Sequence, residues 1–119
     1  MANPNIAGLT TAKGKTVGLD VPTGTGDLVS TVPTDEIYKI NSIIVTNVDG
    51  SNAAEVTVFI DRASGTNLHL AYSASVPAKT SLVVTSKENQ FYLEEGNKIS
   101  VSASAAGDLE AICSYEEIS

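Results

Sequence analysis

The chain has no tryptophan and only one cysteine, one histidine and one methionine among 119 residues. With Cys113 alone, no internal disulfide can form, so the fold must hold without covalent staples. Aromatic residues make up 5% of the chain, four Tyr and two Phe, which leaves Val, Ile, Leu and Ala to build a core. Cations are scarce too. Seven Lys and Arg stand against fourteen Asp and Glu, for a net charge of −7. Nucleic acid calls for a basic stripe, and these cations are scattered, so direct DNA or RNA binding is not expected. The same acidity argues against a surface of anionic lipid. No apolar run approaches the roughly 20 residues of a membrane helix. Met1-Ala2-Asn3-Pro4-Asn5 has neither a basic n-region nor an apolar h-region, so no secretory leader is expected and no membrane is a partner.

What the chain does have is alternation. From Gln90 to Ser119 side-chain character switches with period two, interrupted by Glu94-Glu95-Gly96-Asn97 and Ala105-Ala106-Gly107-Asp108. Both interruptions carry the Gly and Asn or Asp that tight reversals need for positive φ. Ile99, Val101 and Ala103 fall on one face and Lys98, Ser100 and Ser102 on the other, as in an antiparallel sheet with one dry side. The rest of the chain repeats the pattern. Strands are predicted at 15–21, 28–31, 37–48, 55–61, 68–75, 80–86, 90–94, 98–104 and 109–116, separated by Gly, Pro and Asn/Asp turn signals. No window shows helical periodicity.

Within 37–48 the phase breaks. Tyr38 and Ile40 share a face, but Ile43 and Val45 continue one position out of step, which places a bulge at Asn41-Ser42. A strand bent there can pass from one sheet to the other. Short strands at about ten-residue spacing predict an all-β chain, an antiparallel β-sandwich of jelly-roll or Ig-like type. Its core is expected to hold Val56, Val58, Ile60, Leu68, Leu70, Ile99, Val101 and Leu109. Residues 1–13 show no period and read as an extended N-terminal arm, with a single domain over 14–119, a size that suits one core. Charged residues amount to 18%, below the usual quarter or so. Ser and Thr supply much of the polar surface, which suits close packing against neighbours as well as contact with water.

Reactive chemistry is sparse. Gly14-Lys15-Thr16 has the ending of a phosphate loop, but Leu9 stands where the leading Gly belongs and a strand follows instead of a helix. His69 lies between Leu68 and Leu70; the face of Leu68, Leu70 and Tyr72 is apolar, so His69 takes the other one, without triad or metal partners in the sequence. Cys113 shares a face with Leu109, Ala111 and Tyr115 and reads as a buried structural thiol. The carboxylate pairs Asp35-Glu36, Glu94-Glu95 and Glu116-Glu117 read as solvated charges, since neighbours in a strand point to opposite faces. Asp49-Gly50-Ser51-Asn52 and Asp61 offer oxygens, but without the spacing of a calcium loop. The acidic turn 94–97 and tail 115–119 read as edge protection or as a docking patch for a basic partner. No catalytic, cofactor-binding or metal-ligating residue is assigned, and no cofactor is expected.

Three stretches carry a resemblance. Residues 46–58 (Thr-Asn-Val-Asp-Gly-Ser-Asn-Ala-Ala-Glu-Val-Thr-Val), 91–96 (Phe-Tyr-Leu-Glu-Glu-Gly) and 107–118 (Gly-Asp-Leu-Glu-Ala-Ile-Cys-Ser-Tyr-Glu-Glu-Ile) resemble small all-β virion structural proteins of tailed bacteriophages, cyanophages among them. The resemblance implies a non-enzymatic protein of the virion, made in the bacterial host cytoplasm. It further implies a capsid decoration (cement) protein, partnered by the major capsid protein or other virion subunits and by copies of itself. A tail, neck or baseplate component is the alternative, and a carbohydrate-binding host-attachment module a further one. Four Tyr, two Phe and no Trp offer little for sugar stacking.

Overall fold

A computed structural model describes residues 11–119; residues 1–10, most of the expected arm, lie outside the described residues. Nine strands form where alternation predicts them: β1 (Ala12–Asp20), β2 (Gly26–Val29), β3 (Ile37–Asn47), β4 (Ala54–Asp61), β5 (Leu68–Val76), β6 (Ser81–Thr85), β7 (Phe91–Leu93), β8 (Lys98–Ala103) and β9 (Leu109–Ile118). One 3-10 turn, Lys87–Asn89, separates β6 from β7. Ala12 and Lys13 already pair with Ile118 and Glu117, so the sheet begins inside the segment read as arm.

The strands form two antiparallel sheets, a β-sandwich as expected. The first runs β1-β9-β3-β6, with β7 also on β3; the second runs β2-β8-β4-β5. The pairs are nested: β1 with β9, β2 with β8, β3 with β6 and β7, β4 with β5. The chain is one long antiparallel ribbon, coiled so that β9 meets β3 and β8 meets β4. Gly96 (φ 84°) and Gly107 (φ 80°) take the left-handed backbone that their turns require.

The register of β3 slips between Ile40 and Ser42, at the expected bulge. The extra residue resets the phase, so Tyr38, Ile40, Ile43 and Val45 are all buried. It does not carry the strand across: β3 stays in the first sheet over its whole length, because β9 pairs with it on both sides of the bulge.

Of the expected core, Val56, Val58, Ile99, Val101 and Leu109 are fully buried, joined by Ile40, Ile43, Val45, Ala111 and Cys113. Ile60 and Leu70 pack only partly against that core. Leu68 is 49% exposed, a correction that β5 explains. This edge strand carries two register shifts, between the partners of Val56 and Val58 and between those of Val58 and Phe59. Each inserts a residue, so Leu68, Leu70 and Tyr72 do not share one dry face.

Candidate docking faces

The residues singled out for chemistry are dispersed. Gly14-Lys15-Thr16 lies within β1, where Lys15 Nζ stands 3.5 Å from a Glu117 oxygen. Cys113 is fully buried in β9, and burial raises its thiol from 9.0 to about 12, so it is present as the inert protonated form. Tyr38 and Tyr115 stack beside it with ring centroids 4.9 Å apart. Both phenols are pushed up, first by burial and then by the Glu117 charge. In the turn after β3, Asp49 Oδ1 accepts the Ser51 N–H and the Asn52 carbonyl accepts from Asn47, so these oxygens serve the turn. Among the described residues no group of three His, Cys, Asp or Glu stands close enough to hold a metal ion.

The carboxylate pairs need correction. Glu94 is exposed, but Glu95 is only 8% exposed and accepts the Asp35 N–H at 2.7 Å. That bond ties the turn before β3 to the turn after β7 and holds Asp35 at φ 65°, a strained value for a side chain with a Cβ. Glu116 accepts from Asn41 Nδ2 at 3.2 Å. The Asn97 side-chain oxygen accepts the Ala63 N–H across the same end of the sandwich. A cleft of about 520 Å³ opens there, walled by Ile60, Leu68, Tyr92 and Leu93 with Glu94 beside them.

The outer face of the first sheet shows a row that only strand pairing can assemble. Register aligns Gly18, Ile112, Ile44 and Val83 across β1, β9, β3 and β6. Ile112 is 50% exposed and Val83 57%, with Ile44 half-buried between them, so three branched aliphatic side chains form a ridge on the outer face. One neighbouring row is Asp20, Glu110, Thr46 and Ser81, with the last two hydroxyls 2.9 Å apart. The other is Thr16, Ser114 and Ser42. The face is therefore aliphatic along its middle and bordered by hydroxyls and carboxylates. Side chains of this kind lose little freedom on contact, which suits a rigid interface.

The outer face of the second sheet differs. Phe59 lies opposite His69 with ring centroids 5.6 Å apart, and Tyr72 stands edge-on to His69 at 4.9 Å. His69 thus occupies the face away from the core, as expected, while the bulges bring Tyr72 round to join it. Beside Phe59 in the register is Ser100, whose hydroxyl is buried with no hydrogen-bond partner, the sole such side-chain atom among the described residues. An unpaired buried hydroxyl costs about 1–3 kcal/mol. Ser100→Ala is accordingly expected to leave stability unchanged or raise it by up to about 1 kcal/mol, read as a higher thermal midpoint. A clear drop would mean that the hydroxyl has a partner.

No protein-family model matches the chain, and no curated protein is similar to it. Solved structures are similar in fold. A chain from the disulfide-linked pili of Bacillus endospore appendages superposes with a TM-score of 0.52 at 10% identity, covering 90% of this chain and 85% of that one. A chain of the acid-stable capsid of the Helicobacter pylori bacteriophage KHP30 gives 0.52 at 8% identity, covering 93% and 90%. At such identities the likeness establishes the fold alone.

Proposed function

We propose that this protein is a non-enzymatic structural subunit of a phage virion, and that it decorates the capsid as a cement protein stabilising the lattice. The observation that carries the reading is the aliphatic ridge Ile44, Ile112 and Val83 on a hydroxyl-bordered sheet face, a surface made for a protein neighbour. The partner is another virion subunit, with basic groups opposite Asp20 and Glu110 to complement the acidic border. The nested strand order fits the jelly-roll reading, an architecture common among capsid domains, and the fold likeness to a phage capsid chain of similar length supports the same direction. Fold alone never assigns function, so the ridge and not the topology is the test.

A filament subunit is the second reading, favoured by the equal likeness to an appendage pilus chain. That assembly is disulfide-linked, whereas the sole thiol here is sealed in the core. A disulfide would require the sheet to open.

The test uses capsids that lack the protein, incubated with the wild-type chain or with Ile112→Lys or Val83→Lys. Both side chains are half exposed, so melting should stay within about 0.5 kcal/mol of wild type. Desolvating a lysine against the partner should weaken attachment at least about tenfold, seen as lost density on the capsid surface. Normal occupancy by both variants, or wild-type density only at the tail or neck, would refute the capsid-docking assignment.

A further inference from the structure

We propose that the outer face of the second sheet is a glycan-binding site for neutral pyranose sugars, with Tyr72 as the stacking platform. This inference stands apart from the virion reading, since it uses the opposite face. Tyr72 is 74% exposed, more than any other large apolar side chain described. The β5 bulge holds it out. Ser73 follows it at φ 47°, a left-handed conformation unusual for serine, and its N–H is held by Thr57 Oγ1 at 3.0 Å. His69 meets Tyr72 edge-on, with Phe59 behind, so the ring is braced and not free to collapse onto the sheet. Strain kept in place by a specific hydrogen bond, next to the most exposed ring, points to a functional use.

The adjoining cleft has the complementary chemistry. It holds about 160 Å³ and is lined by Glu55, Thr57, Ser73, Ser102 and Ser104. Two of its hydroxyls are polarised by the backbone: Thr57 Oγ1 accepts the Ser73 N–H, and Ser104 Oγ accepts the Glu55 N–H at 2.8 Å. With a lone pair of each oxygen occupied, each O–H remains to donate to a sugar oxygen, while the Glu55 carboxylate accepts from a sugar hydroxyl. The C–H face of a pyranose carries partial positive charge and packs on the negative π face of Tyr72. A ring for the apolar face and fixed donors and acceptors for the hydroxyls is the pairing sugars require. An anionic sugar fits poorly, because Glu55 and the net charge of −7 repel it.

The experiment displays the full chain multivalently on beads and probes it with a printed array of neutral hexose oligosaccharides and their sialylated or sulfated counterparts. Binding to neutral glycans is expected, at least tenfold above the acidic ones. Tyr72→Ala should abolish it, Tyr72→Phe should retain it, and Glu55→Gln should weaken it several-fold, all with unchanged thermal midpoints. An array without neutral binders overturns the proposal, and so does binding that survives Tyr72→Ala. Capture of an arginine-rich peptide in place of sugars would overturn it as well, by making the face a cation–π site.

Discussion

Asn47→Ala is expected to destabilise the protein by about 2–4 kcal/mol, more than most surface-to-core truncations of similar size. Asn47 ends β3 and is fully buried. Its amide nitrogen donates to the Asn52 carbonyl at 2.9 Å and to the Val76 carbonyl at 2.8 Å, and its side-chain oxygen accepts the Asp49 N–H at 2.9 Å. One side chain therefore fixes the turn between β3 and β4 and clamps it to the end of β5. Each bond contributes about 1 kcal/mol net, and three are lost together, the one to Val76 wholly inside the core. Urea unfolding checks it: the midpoint should fall while the slope stays constant. A loss below about 1 kcal/mol would mean that water takes the place of the amide.

Alkaline pH is the second large perturbation. Burial raises the Cys113 thiol from 9.0 to about 12 and pushes Tyr38 and Tyr115 up from 10.0. Between pH 9 and 12 the unfolded chain releases the thiol proton while the folded chain keeps it. The unfolded state then binds fewer protons, so stability is complete below pH 9 and falls as pH rises. The thiol alone accounts for about 1.4 kcal/mol per pH unit across that window, or roughly 4 kcal/mol by pH 12, with both phenols adding above pH 10. Urea midpoints measured from pH 8 to 11 should decline steadily. In Cys113→Ala the curve should stay level until the tyrosines begin to titrate near pH 10. A wild-type curve flat to pH 11 would refute the burial argument.

The backbone plan was legible because period-two alternation and glycine-bearing turns are local signals. Even the β3 bulge showed, since Ile40 and Ile43 cannot both face inward without an extra residue. The ridge was legible only in pieces. Alternation turns Ile44 and Ile112 away from Ile43 and Cys113, but only the pairing of β9 with β3 and of β3 with β6 sets them side by side and adds Val83. The β5 bulges left no mark, because Leu68, Leu70 and Tyr72 alternate well enough to suggest an apolar face that the strand does not present. Buried polar residues were hidden for another reason: Asn47 and Glu95 sit among turn residues, where polarity is ordinary, and their burial comes from distant segments closing over them. The aromatic cluster likewise depends on pairing β4 with β5, so a count of six Tyr and Phe understated what one face could gather.

The nesting of the ribbon also dictates the order in which the molecule can come into being. The innermost pair, β4 and β5, is separated only by residues 62–67, whereas Thr11 and Ser119 exchange backbone hydrogen bonds across almost the whole described chain. Closing the outer pair before the inner ones would cost about 2–3 kcal/mol more in loop entropy, so closure proceeds from the middle outward. β9 lies between β1 and β3, and among the described residues β1 pairs with no other strand. During synthesis β1 leaves the ribosome long before β9 and must wait for it. A growing chain thus keeps β1 unpaired and the first sheet open until β9 emerges, and the slow, non-local pairing of β1 with β9 is what closes the sandwich.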